Sequence, residues 1–213
     1  MIEAEAQGWV ADRVSRETFG QLGELAEHVR AEMPRQNLIA ASTAEHIWAR
    51  HIVDSAQLAA FAPQTTRSWL DLGSGAGFPG LVVALVRPEL HVTLVESRRK
   101  RAEFLAATAD ALGVSDRVEV RGQRLELIGE STFDAISARA FAPLGRLLSL
   151  AHRFSHERTI WLLPKGRSAV SELEAVDGSW QGDFQVVPSV TDSDAAIIVA
   201  REVQPQGKGL KGR

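Results

Sequence analysis

The sequence predicts an α/β fold on a doubly wound, mostly parallel sheet, and three observations carry that expectation. Short apolar runs alternate with helical patterns from residue 68 onward, the signature of βαβ units. The run Trp69, Leu70, Leu72 stops abruptly in glycines at 73, 75, 77 and 80, as a buried parallel strand does when it ends in a tight turn. The last two strand patterns lie too close together for a crossover helix, so the sheet is expected to close with an antiparallel pair.

Residues 1–60 read as helical. Phe19, Leu22, Leu25, Ala26 and Val29 recur at helix spacing until Pro34 stops the pattern. Ser42, with Glu45 three residues on, is expected to cap a second helix carrying Ile47, Trp48, His51 and Ile52. A third segment, 55–61, ends at Pro63. No linker-like composition follows, so residues 1–63 are expected to cap a main domain of 64–203, with 204–213 a basic flexible tail. The first strand, from Ser68, leads through the glycines to a helix at 81–86, with Pro79 in its first turn where a missing N–H costs nothing. Then come a strand at 91–96 and a helix at 98–112 with Phe104, Leu105, Thr108 and Leu112 inward, ended by Gly113. Strands follow at 118–121 and 133–138, a helix from 144 to about 153, and a strand at 159–163 that ends at Pro164, Lys165 and Gly166. A helix near 168–176 precedes the hairpin strands 184–187 and 195–201. Five parallel strands closed by a hairpin, seven in all, make the methyltransferase version of the Rossmann-like sheet.

Composition narrows the chemistry. At 213 residues the chain supports one α/β domain with an extension. The absence of cysteine excludes disulfides, Cys-ligated zinc, iron–sulfur clusters and any Cys nucleophile. Methylation of a pyrimidine at C5 through a cysteine adduct is therefore excluded. No stretch reaches the roughly 18 apolar residues of a membrane span, and the acidic N-terminus is unlike a signal peptide, so a cytoplasmic protein is expected. The net charge of −3 is uneven, with nine acidic and five basic side chains in residues 1–60 and a remainder of +1. That remainder holds Arg98, Arg99, Lys100 and Arg101, then Arg117, Arg121 and Arg124, and finally Lys208, Lys211 and Arg213. Such patches suit RNA contact, and they suit solvated helix faces equally well.

The glycine cluster fits two patterns. Gly75-x-Gly77-x-x-Gly80 matches the dinucleotide fingerprint, while Asp71-x-Gly73-x-Gly75-x-Gly77 matches that of S-adenosylmethionine-dependent methyltransferases. The second starts where the chain must turn, directly after Leu72, and it gives Asp71 a task as an anion facing the cationic methionine end of the ligand. Free N–H groups of this loop are expected to point outward at the ligand. Glu96, at the end of the second strand, can accept from both hydroxyls of a ribose, or can cap the basic helix that follows. Gly122 to Leu125 follow the third strand, where this architecture meets an adenine ring. Arg139 ends the fourth strand nearest the methyl donor, as a ligand or RNA contact, or as an ion-pair partner. His46 and His51 are read as structural, with no metal.

Several spaced motifs resemble the bacterial 16S rRNA guanine-N7 methyltransferase G family, also called glucose-inhibited division protein B. They are the stretch 71–80, Glu96 to Lys100, and Ser137 to Phe141, with Asn37-Leu38, Arg50 to Ser55, and Leu163 to Gly166. The resemblance runs from about residue 34 to 202. It implies a class I fold that transfers methyl from S-adenosylmethionine to N7 of the guanosine at position 527 of 16S rRNA in the small ribosomal subunit. It places cofactor contacts on Gly73, Phe78, Arg124, Leu125 and Arg139, beside Asp71, Gly75, Gly77 and Glu96. Where the family usually has Gly-x-Ala-Glu after the third strand, this chain has Gly122, Gln123, Arg124 and Leu125, with the acid displaced to Glu126. Guanine N7 loses no proton on methylation, so no general base is required, although a nearby carboxylate or carbonyl would help the cationic product. Arg139 is the candidate catalytic residue. Arg98, Arg99, Lys100, Arg101, Lys165 and Arg167 are candidate phosphate contacts. The alternatives are a methyltransferase acting on another RNA or a small molecule, an NAD-binding module, or a non-enzymatic RNA-binding protein. A monomer is expected.

Overall fold

Strand residues from Ser68 to Pro205 assemble one seven-stranded sheet in the order β3-β2-β1-β4-β5-β7-β6. The strands are β1 (Ser68–Leu72), β2 (His91–Val95), β3 (Val118–Arg121), β4 (Ala135–Ala138), β5 (Ile160–Gly166), β6 (Trp180–Pro188) and β7 (Ala196–Pro205). The computed structural model describes residues 1–207, so Lys208, Lys211 and Arg213 of the expected tail lie outside the described residues. β1 to β5 run parallel, and β7 lies antiparallel between β5 and β6. Strand order reverses between β1 and β4, so the crevice at their carboxyl ends is where such a sheet binds its ligands.

Both faces of the sheet are covered, which is why its parallel strands read as nearly continuous apolar runs. Alternate residues serve alternate layers. Trp69, Val92, Leu94, Ile160, Leu162 and Val199 face the helices α1 (Glu3–Ala11), α2 (Arg16–Glu32), α5 (Gly80–Val86) and α6 (Arg99–Ala111). Leu70, Leu72, Ile136, Trp161, Leu163 and Ile198 face α7 (Leu144–Ala151) and α8 (Ala169–Glu174). Between α2 and the sheet lie α3 (Ala41–Ala44), a π-helical segment (Trp48–Val53), α4 (Asp54–Ala56) and a 3₁₀ turn (Gln57–Ala60).

Four expectations change at their edges. Ser42 caps nothing: Ala40 precedes the single turn of α3, and the Glu3 carboxylate takes the N–H groups of Trp48 and Ala49 at 2.9 and 3.1 Å. β4 starts at Ala135, because Asp134 Oδ2 accepts from the N–H groups of Arg67 and Ser68 at 2.8 and 3.0 Å and Phe133 donates to Phe154. β5 does not end at Leu163; it runs to Gly166, pairing Pro164 with Ile197 and Gly166 with Ala196 across an irregularity. The hairpin strands are longer than expected, and β7 continues two residues beyond 203.

Candidate active site

Two cavities open at the carboxyl ends of the central strands, and they share one wall, residues 140–143. The first, about 430 Å³, is lined by the ends of β1 and β2 at Gly73, Val95 and Glu96, and by residues 123–126 after β3. The second, about 670 Å³, lies between the wall and the helical segment that holds Thr43, Arg50, His51 and Asp54. Arg139, Lys165, Glu172 and Asp192 complete it. Both volumes are of the size that holds a nucleoside-sized ligand.

The glycine loop shapes the wall. Gly73 has φ +69°, and a methyl group on it would sit 2.8 Å from Phe141 Cδ2. Only glycine lets the loop lie against Phe141 without displacing it. Gly80 is equally tight, since a side chain there would meet Asp71 Oδ2 at 2.9 Å. The loop N–H groups do not point freely outward, as expected above. Gly73 and Ser74 donate to the Val95 carbonyl at 2.8 and 3.1 Å, Gly77 to Ser74 at 2.7 Å, and Gly75 to Glu96 Oε2 at 3.1 Å. β2 and its terminal carboxylate close the loop upon themselves.

Glu96 takes the helix-capping role offered for it and leaves room for the other. Its Oε1 accepts from the Arg98 N–H at 2.8 Å, at the start of α6, and its Oε2 holds Gly75. Each oxygen keeps a lone pair on a carboxylate that lines the smaller cavity, so a ribose diol can still bind there. Leu125 is buried and supplies an apolar floor, while Arg124 points outward and pairs with Glu126 at 3.0 Å. The displaced acid is therefore tied to its neighbour. Tight glycines, a diol-accepting carboxylate and an apolar floor fit S-adenosylmethionine at the smaller cavity.

Asp71 does not face a ligand. It is fully buried beneath Gly80, accepting at Oδ1 from Ser137 Oγ at 2.7 Å, which in turn accepts from Trp69 Nε1 at 2.8 Å. Burial pushes its carboxyl pKa up, against the bond from Ser137. Gly75 and Gly77 likewise shape the loop without lining either cavity. Phe78 is buried under His51, with ring centroids 5.1 Å apart, and the Arg139 guanidinium lies over it at 5.5 Å. Arg139 borders the larger cavity instead of the smaller one. Its Nη1 donates to the Arg50 carbonyl at 3.2 Å and stands 3.7 Å from Asp54 Oδ2. Burial lowers its pKa, opposed by Asp54 and Asp71. It remains a cation, as arginines do.

The basic candidates divide. Arg98, Arg99 and Lys100 are exposed at the start of α6, although Arg99 pairs with Glu103 at 2.7 Å. Arg101 donates to the Asn37 carbonyl at 2.6 Å at the edge of the smaller cavity, and Arg167 is exposed beside Asp194 at 2.8 Å. Lys165 is not a free phosphate contact. Its side chain is 8% exposed, and its Nζ donates to the Ala142 carbonyl at 3.0 Å and to Glu172 at 2.8 Å, which fixes the shared wall from below.

The residues read as structural or passed over are those around the larger cavity. Thr43 Oγ1 donates to the Ala40 carbonyl at 2.9 Å, so His51 Nε2, at 2.9 Å from that oxygen, must be the donor of the pair. Nδ1 is then a bare, buried lone pair without a partner among the described residues. Burial, with the charges of Arg139 and Arg50, pulls the imidazole down to about 3. The spacing of Arg50, His51 and Asp54 within the quoted motif was the available signal for this surface. No cluster that could hold a metal ion, and no helix long and apolar enough to cross a membrane, occurs among the described residues.

Comparison with known proteins gives the family and the fold. Residues 20–198 match the family model described as rRNA small subunit methyltransferase G. A protein of Rhizorhabdus wittichii named ribosomal RNA small subunit methyltransferase G is 66% identical over all of this chain and 99% of its own. A namesake from Zymomonas mobilis is 50% identical over 97% of this chain and 96% of its own. Among solved structures, cofactor-bound Rv0187 from MTB superposes with a TM-score of 0.63 at 16% identity, covering 86% of this chain and 89% of that one. The mitomycin 7-O-methyltransferase MmcR gives 0.57 at 16% identity, covering 88% and 69%. At such identities these structures speak for the methyltransferase fold.

Proposed function

Because the chain belongs to the rRNA small subunit methyltransferase G family, we propose that it methylates N7 of a guanosine in 16S rRNA, at position 527, using S-adenosylmethionine. The observation that carries this reading is the shared wall. A cofactor cavity with Glu96 and a second cavity with Arg139 meet at residues 140–143, where a methyl group can pass from one to the other. Bound in the smaller cavity, S-adenosylmethionine supplies an electrophilic methyl carbon.

What the chain contributes is placement. Gly73 lets Phe141 close on the glycine loop, Glu96 holds the ribose, and Leu125 floors the adenine side. Arg139, anchored on the Arg50 carbonyl and Asp54, presents its charge to the RNA strand entering the larger cavity. Arg98, Arg99, Lys100 and Arg167 supply outer phosphate contacts. In-line alignment of this kind is worth up to about 7–11 kcal/mol. No side chain needs to remove a proton. On this reading residues 1–63 form the wall of the RNA-binding side, residues 64–203 hold the cofactor, and the protein acts in the cytoplasm as a monomer.

The test is incubation with isotopically labelled S-adenosylmethionine and small ribosomal subunits from cells lacking the gene, followed by N7-specific strand cleavage. Label at one 16S guanosine supports the reaction. Cofactor binding without label in 16S rRNA overturns the substrate, and no cofactor binding overturns the site.

A further inference from the structure

Transfer forms an N7–C bond from the lone pair of the base and breaks a C–S bond whose electrons remain on sulfur. One positive charge therefore passes from sulfur to the purine, and no proton leaves. The protein gains most from an anion placed where that charge appears.

Three carboxylates line the larger cavity: Asp54, Glu172 and Asp192. Glu172 accepts from Lys165 and the Leu144 N–H on one oxygen and from Ser168 on the other, all at 2.8 Å. Asp192 accepts from Arg50 on one oxygen and from the Asp194 N–H on the other, both at 3.0 Å. Asp54 differs. Gln57 Nε2 at 3.0 Å and the hydroxyls of Ser189 and Thr191 at 3.5 Å all converge on Oδ1. Among the described residues Oδ2 takes no hydrogen bond and faces Arg139 at 3.7 Å. His51, three residues earlier and lining the same cavity, also keeps an acceptor without a donor. His51 lies in the π-helical segment, a form found often at functional sites, and Asp54 directly follows it. The His51 Nδ1 atom is itself buried, so the acceptor left open to a ligand on this cavity wall is Asp54 Oδ2, and it calls for a ligand that brings donors.

Guanine is such a ligand. Its N1–H and N2 amine lie on the edge opposite N7, so a base entered with N7 toward the shared wall turns its donors toward the helical side. We propose that Asp54 reads the guanine: Oδ2 accepts from the N2 amine, with N1–H beside it, and the carboxylate offsets the charge that methylation places on the ring. This rests on the guanine-N7 reading above and assigns the carboxylate that reading leaves open.

The experiment compares small subunits carrying guanosine or inosine at the target, since inosine lacks only the N2 amine. The wild-type protein is expected to favour guanosine by about ten- to hundredfold in kcat/KM, the range for a hydrogen bond to a charged group. Asp54→Asn keeps an oxygen for Gln57, Ser189 and Thr191 but loses the charge. It should lower kcat on guanosine and bring the guanosine-to-inosine ratio near one, with the dissociation constant for S-adenosylmethionine unchanged. Ser189→Ala, which touches only the Oδ1 side, should keep the wild-type ratio. Equal wild-type rates on the two substrates overturn the proposal however the variant folds, as does a wild-type ratio in Asp54→Asn. Wild-type protein that labels neither substrate removes the guanine-N7 reading itself, and the proposal with it.

Discussion

His51 is neutral in the folded protein down to about pH 3, whereas in an unfolded chain it takes a proton near pH 6.5. Between those values the unfolded state binds the extra proton, so His51 draws stability away as pH falls from 6.5 toward 3, by about 1.4 kcal/mol per unit. The expected outcome is a shallower loss of Tm between pH 6.5 and 5 in His51→Gln than in the wild type, measured by thermal melts; parallel curves contradict it. Gly73→Ala asks a side chain to adopt φ +69° and to sit 2.8 Å from Phe141. That should leave the protein folded but weaken cofactor affinity by about tenfold or more in titration, equal to about 1.4 kcal/mol. That Glu96 and Gly73 line a cavity was legible because strand ends and glycine turns announce themselves locally. Asp71 and Phe78 misled for a physical reason. A motif marks which residues build a site, and not which of them end up beneath its surface.

Among the elements, the strand at 159–163 shows the same limit. Proline and glycine after Leu163 signal an end, yet β5 continues because β7 pairs beside it, a partner that arrives thirty residues later. Glu3 capping Trp48 and Ala49 is equally invisible locally, since nothing near Ser42 announces a carboxylate from α1. The register of charge was only half legible: Lys165 and the arginines of α6 look alike in a list of cations, but one is buried and paired. Lys165→Met should lower stability by about 3 kcal/mol by leaving Glu172 without its cation, and leave the salt dependence of RNA binding unchanged. Arg98→Ala should leave stability alone and reduce the slope of log affinity against log salt by about one. Filter binding across a salt series, with a melt of each variant, distinguishes the two.

For the whole molecule, order of strands and fold class were legible from alternating patterns, because a sheet covered on both faces needs continuous apolar strands. How the helical cap meets the last hairpin was not. Gln57, 4% exposed, donates to Ser189 Oγ at 2.9 Å and accepts from the Val190 N–H at 3.0 Å, while Arg50 meets Asp192. These bonds close residues 50–57 onto residues 189–192. Gln57→Ala should cost about 1–3 kcal/mol by leaving the Val190 N–H unpaired, read as a lower midpoint in urea. The single segment 140–143 divides both cavities, with Ala140 held at φ +53°. Ligands on its two sides therefore lean on one piece of backbone, and thermodynamic reciprocity governs them. Whatever factor the cofactor applies to the hold on the base, the base applies to the hold on the cofactor. On the proposed function the same equality holds for the spent cofactor and the methylated base, which lie on the two sides of those four residues.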